Sequence, residues 1–287
     1  MSQIKNATVL VTGGASGIGR LLGTHCLEMG AKSLVIWDIN EVNLEETAHE
    51  LRNSGYEVYL YVVDVSDPED IKKAAEEVFN EAGTVDILFN NAGIVVGKYF
   101  HEHSHSDIEK TIAINTSGVM HVALAFLPAM IEQHSGHIIN IASAAGLTPN
   151  PKMAVYAGSK WAVLGWSESI RNEMGDQNTG VNVTTVTPSY IATGMFEGAK
   201  GPMFAPILEP DFIVSKILEA VEKNKVLVRQ PFIVKILPFV RGILPAQIYD
   251  SVVGRGMRVY KSMANFKGRT SPGDVSKLKE NRTKAHK

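Results

Sequence analysis

The chain has 287 residues, 45% of them hydrophobic and 20% charged, the proportions of a soluble globular protein. A net charge of −2 gives no basic field for nucleic acid, and a single cysteine, Cys26, excludes an intramolecular disulfide or a multi-cysteine metal site. No signal-peptide pattern precedes the first apolar run and no uninterrupted run of 18 apolar residues occurs, so a reducing, cytoplasmic location is expected, with any membrane contact peripheral.

In chain order, residues 7–12 form a short β-type apolar run and residues 17–30 a helical one. A second strand over 33–37 precedes an amphipathic helix over 41–54. A third strand over 58–63 leads into a charged helix over 67–82, and a fourth over 85–89 into a long helix over about 106–134. A fifth strand over 136–141 is followed by a helix over about 153–174 and a sixth strand over 181–186. A helix over 211–224 and a short strand at 226–228 close the pattern. Apolar strands alternating with helices predict an α/β fold. It is one doubly wound, seven-stranded parallel sheet with helices on both faces and ligands at the carboxyl ends of the strands. Nothing divides residues 1–230, which read as one dinucleotide-binding catalytic domain.

Two segments depart from the alternation. Residues 194–210 are rich in Gly, Pro, Met and Phe, lack periodicity and follow the sixth strand, where a lid belongs. Residues 231–260 are apolar with interspersed Lys235 and Arg241; they could pack on the domain, cover the site, meet a second subunit or lie on a membrane surface. Beyond them, residues 261–287 carry eight Lys or Arg against Asp274 and Glu280 and read as a basic, disordered tail.

The run Thr12-Gly13-Gly14-Ala15-Ser16-Gly17-Ile18-Gly19 sits between the first strand and the first helix. In that context Gly13, Ser16, Gly17, Ile18 and Gly19 form a turn on which a pyrophosphate rests at the helix N-terminus. Asp38 closes the second strand, 19 residues after Gly19, where a carboxylate binds ribose hydroxyls and repels a 2′-phosphate. No basic residue stands at Ser16 or at Ile39, so NAD is favoured over NADP. Asp64 and Val65 end the third strand, where the carboxylate could hold an adenine amino group. Asn91, Ala92 and Gly93 end the fourth, and their small size suits a backbone passing close to a cofactor.

Tyr156 and Lys160 are four residues apart and share a helix face. A phenol beside an ammonium is expected to have a depressed pKa. Ser143 lies thirteen residues upstream, just after a strand. The three suit moving a proton on or off an alcohol oxygen next to a hydride carrier. The alternating His101, His103 and His105 lack partnering ligands and read as a solvated loop, with no metal expected.

Taken together, these motifs over residues 5–230 resemble the short-chain dehydrogenase/reductase family. The resemblance implies a Rossmann fold and a homodimer or homotetramer. It places the catalytic groups at Asn115, Ser143, Tyr156 and Lys160, and contacts to the nicotinamide carboxamide at Pro188, Ile191 and Thr193. The family usually has Pro-Gly where this chain has Pro188-Ser189. In the implied mechanism Tyr156 exchanges the proton and Lys160 favours its phenolate while binding the nicotinamide ribose. Ser143 bonds the substrate oxygen, and the Asn115 amide could hold a water linking Lys160 to solvent. The runs at 35–40 and 61–66 and the apolar extension look like the branch of retinol and 17β-hydroxysteroid dehydrogenases.

The substrate pocket is expected from Ser143, Ala145, Leu147, Met153, Tyr156, Tyr190, Met195 and Phe196, a lining for an apolar alcohol or ketone of retinoid, steroid or fatty type. The alternatives are a 3-oxoacyl-type carbonyl reductase and, in another class, a non-catalytic dinucleotide sensor. Intact Tyr156, Lys160 and Ser143 count against the sensor.

Overall fold

Seven parallel strands form one sheet in the order β3-β2-β1-β4-β5-β6-β7 in the computed structural model, which describes residues 2–268. The strands are β1 (Thr8–Thr12), β2 (Ser33–Asp38), β3 (Val58–Val62), β4 (Ile87–Asn90), β5 (Gly136–Ile141), β6 (Val181–Pro188) and β7 (Leu227–Gln230). Every residue of β1 and β5 is buried, as a strand covered on both faces requires. Successive side chains divide between two cores. Val9, Val11, Ile36 and Phe89 join α1 (Gly17–Glu28), α2 (Glu41–Asn53) and α7 (Pro210–Glu222) on one face. Leu10, Val35, Trp37 and Leu88 join α3 (Pro68–Glu81), α5 (Val119–Glu132) and α6 (Ala154–Asp176) on the other. The strand order reverses between β1 and β4, and such a switch point opens a cleft at the carboxyl ends of the strands.

Local chemistry sets the helix starts. Asn40 accepts the Asn43 N–H at 3.0 Å before α2. Asp67 accepts the Glu69 N–H at 3.0 Å before α3, where Pro68 occupies the first turn. The long helix expected over 106–134 is α4 (His105–Ile112) and α5 joined by a π-helical turn, Ala113–Gly118. Joined, His105–Glu132 is long enough to cross a membrane and contains an 18-residue stretch with a mean hydropathy of 1.5. Counting uninterrupted apolar runs did not anticipate such a helix. It serves here as a layer of the fold, with Val122, Phe126 and Met130 packed into the second core.

The extension is helical. It forms α8 (Phe232–Ile243), α9 (Ala246–Tyr249) and a π-helical turn, Asp250–Gly256. Leu237, Tyr249, Val253 and Val259 make a satellite core of their own. The disorder expected from Lys261 is corrected at its start. Ser262 and Met263 are buried, because the Ser262 hydroxyl joins Tyr190 and Asn150 in a hydrogen-bonded cluster. The remainder of that tail, 269–287, lies outside the described residues.

Candidate active site

The cleft at the switch point holds about 1200 Å³ of empty space including open solvent. Its floor is the β1–α1 turn. Gly13 adopts a φ of 62°, and a Cβ on Gly19 would fall 2.2 Å from the Gly13 carbonyl oxygen and 2.5 Å from Asn91 Nδ2, so only glycine fits there. Asn91 ties the ends of β1 and β4 together, donating through Nδ2 to the carbonyls of Thr12 at 2.9 Å and Gly13 at 3.1 Å. The Thr12 hydroxyl in turn accepts the N–H groups of Asn91 and Ala92. Asp38 is held at the cleft edge by the backbone N–H of Ala15 at 3.1 Å and of Asn40 at 3.0 Å. Among the described residues that line the cleft, Lys160 is the one Lys or Arg.

Of the sequence candidates, Gly13, Ser16, Gly17, Ile18, Asp38, Ile39, Asp64, Val65, Asn91, Ala92, Gly93, Pro188, Ile191 and Thr193 line this cleft. Gly19 shapes the turn from beneath. Sequence reasoning missed Trp37, Val63, Ile94, Ile114, Ile141, Ala142 and Ser189. Most adjoin a predicted contact at a strand end, so extending each motif by one residue would have found them.

Tyr156 and Lys160 both lie on the buried face of α6, 5% and 4% exposed. The Ser143 hydroxyl, at the end of β5, hydrogen-bonds the phenol and accepts the Ala145 N–H at 3.1 Å. The depressed phenol pKa expected from sequence is not found. Burial pushes Tyr156 up to about 12, the Ser143 hydrogen bond opposes this and nearby Tyr190 adds to it. Burial also pulls Lys160 down to about 8. Lys160 Nζ donates to the Ile141 carbonyl at 2.8 Å and lies 5.9 Å from the centre of the Tyr156 ring, so the protein alone does not pair the two groups.

Asn115 is fully buried in the π-helical turn. Its Nδ2 donates to the Ile94 carbonyl at 2.9 Å and to Ser159 Oγ at 3.1 Å, and its Oδ1 accepts the Ile94 N–H at 2.8 Å. Both amide hydrogens are committed, so Asn115 clamps the chain after β4 to α6 and has no amide hydrogen left for the water expected there.

A second cavity opens beyond Ser143, with about 640 Å³ of empty space including open solvent. The expected Ser143, Ala145, Met153, Tyr190 and Phe196 line it. Met195 and the Tyr156 ring instead face the cofactor cleft. Leu147 is buried outside that lining, its carbonyl accepting Arg241 Nη1 at 3.0 Å. Phe196 stands edge-on to Tyr156 at 5.9 Å and to Tyr190 at 5.1 Å. The extension supplies what sequence reasoning missed, with Ile233, Val234 and Leu237 from α8 and Val253, Met257 and Val259 after it. The expected lid closes against that extension through Met203 N–H to the Met257 carbonyl at 2.9 Å and Lys200 N–H to the Ser262 carbonyl at 2.8 Å.

Residues 7–201 match the family model for short chain dehydrogenase. The chain belongs to the short-chain dehydrogenase family. It is 40% identical over 247 residues to human epidermal retinol dehydrogenase 2, covering 85% of this chain and 80% of that one. It is 34% identical to human estradiol 17-beta-dehydrogenase 11, covering 89% of each. A solved short chain dehydrogenase/reductase from Burkholderia phymatum in complex with NAD superposes with a TM-score of 0.76. It is 26% identical and the match covers 95% of this chain and 99% of that one. This short-chain dehydrogenase is therefore an oxidoreductase that interconverts an alcohol and its carbonyl, with a nicotinamide dinucleotide as cofactor.

Proposed function

We propose that this short-chain dehydrogenase oxidises, or forms by reduction, an apolar alcohol of retinoid, steroid or fatty type, with NAD preferred to NADP and Tyr156 exchanging the proton. The observation that carries the reading is the placement of the Ser143–Tyr156 hydrogen bond. Ser143 belongs to both cavities, one cut to a dinucleotide and one walled by apolar side chains.

The glycine turn supports the cofactor reading, since its backbone leaves no room for a Cβ yet borders open space. When bound, NAD supplies the hydride acceptor and a cationic ring. Asp38 presents a carboxylate braced by two N–H groups, suited to ribose hydroxyls and repulsive to a 2′-phosphate. Lys160 stays protonated up to about pH 8, so at neutral pH it brings a positive charge and N–H donors to the cleft. Tyr156 at about 12 is a ready proton donor for carbonyl reduction; alcohol oxidation requires Lys160 and other positive charge to bring its pKa down. Ser143 bonds the substrate oxygen as its charge changes.

A panel of apolar and short water-soluble alcohols, assayed by NADH formation, tests the reading. It expects turnover of the long apolar alcohols with NAD and weaker turnover with NADP. Equal turnover of short and long alcohols, or preference for NADP, contradicts it.

A further inference from the structure

The helix α8 has two apolar faces, and among the described residues only one has a partner. Ile233, Val234 and Leu237 point into the substrate cavity. Phe232, Phe239 and Ile243 point outward with 68%, 70% and 62% of their surface exposed, and Lys235 lies over the Phe232 ring at 5.6 Å on that same stripe. Ile248 and Val252 continue the exposed apolar surface beyond α8. The lid, bonded to Met257, adds Phe204 at 72% exposure. Soluble monomers rarely leave so many large apolar side chains uncovered together.

The charge around this surface names what covers it. Residues 231–268 carry six Lys or Arg against one acidic residue, Asp250, which is itself hydrogen-bonded to Tyr260. Residues 1–230 carry sixteen Lys or Arg against twenty-seven Asp or Glu. Residues 1–230 are thus net acidic, whereas the segment that holds α8 is net basic. Arg255, Arg258 and Lys261 are all exposed there. An amphipathic helix with outward Phe and Ile, flanked by cations, matches an anionic lipid surface, whereas a two-fold contact with a second copy would set this cationic face against itself.

We propose that the outer face of α8, with Phe204 of the lid, docks the enzyme on an anionic bilayer. A substrate dissolved in the lipid is then separated from the catalytic cavity by the thickness of one helix. The proposal deepens the apolar-substrate reading and rests on it for the role of the cavity; the docking itself does not depend on turnover.

The test uses the full chain and sedimentation with phosphatidylcholine vesicles, with and without phosphatidylserine. The wild type is expected to sediment with the anionic vesicles and to lose binding as salt rises, each basic residue near the surface adding about fivefold. Phe239→Ser/Ile243→Ser is expected to weaken binding at least about tenfold. Its NAD affinity, melting temperature and turnover of a short soluble alcohol should stay unchanged. Lys235→Glu/Arg255→Glu should lose the preference for anionic vesicles. A wild type that stays in the supernatant at low salt, or a Phe239→Ser/Ile243→Ser variant that sediments as well as the wild type, overturns the proposal. So does a wild-type dimer that this double substitution splits while vesicle binding is absent, because the face would then be a subunit contact. A protein that binds vesicles but oxidises no alcohol refutes the catalytic reading and leaves the docking standing.

Discussion

The cofactor cleft and the substrate cavity share Ser143, Ser189 and Phe196, yet they are built from different kinds of chain. The cleft is made by strand ends and backbone. Its fit depends on where a Cβ is missing and on which N–H groups brace Asp38 and Asn91. The cavity is made by side chains drawn from the loop after β5, the lid and the extension, far apart in sequence. A backbone site has few solutions and tolerates little change, whereas a side-chain cavity can be reshaped one residue at a time without touching the chemistry beside it.

Substitutions that harm one side and spare the other measure that separation. Gly19→Ala would place a methyl against the Gly13 carbonyl, where no side-chain movement gives relief. Overpacking of this kind costs the fold up to about 3 kcal/mol and displaces the turn on which the pyrophosphate would rest. Titration of NAD by intrinsic fluorescence should show weakened binding, and the melting temperature should fall by several degrees, with KM for a long apolar alcohol little changed. Leu237→Ala acts on the other side. Removing its apolar wall should raise KM for a long apolar alcohol roughly 30-fold and leave NAD affinity alone. Coupled losses of NAD and substrate binding in either variant would break the comparison.

A smaller effect is expected at Asp38→Ala, which keeps the turn but removes the charge. The ratio of kcat/KM for NAD over NADP should fall about tenfold, without change in KM for the alcohol. The pH profile is finer still. A phenol held at about 12 is protonated across the neutral range, so the base needed for oxidation gains population as pH rises. Lys160, held down to about 8, loses above that pH the charge that favours the phenolate. Alcohol oxidation should therefore climb several-fold from pH 6 and flatten near pH 8. A fall over the same interval contradicts these assignments.

The same difference explains what was legible in the sequence. The strands, their parallel pairing and most cleft residues could be read because backbone demands leave glycine, Asp and Asn at fixed offsets from each strand. Tyr156 and Lys160 could be read because a helix period puts them on one face. Their pKa values could not, since burial and the Lys160–Ile141 hydrogen bond are tertiary facts. Asn115 was found by resemblance, while its role as a clamp depends on Ile94 and Ser159, which no spacing rule joins to it. The walls given by Val234, Leu237 and Met257 stayed hidden because apolar periodicity shows that a helix has a buried face and not what that face covers.

We propose that the Tyr156 phenol, in the cofactor cleft beside the Ser143 that borders both cavities, exchanges the proton while the cofactor takes the hydride. Tyr156→Phe removes a single oxygen from a ring packed edge-on to Phe196 and should leave the fold intact. Turnover of an apolar alcohol, followed as NADH formation, is predicted to fall about a thousandfold with NAD affinity within about twofold of wild type. Turnover within tenfold of wild type, or a loss of NAD binding as large as the loss of turnover, would contradict the claim.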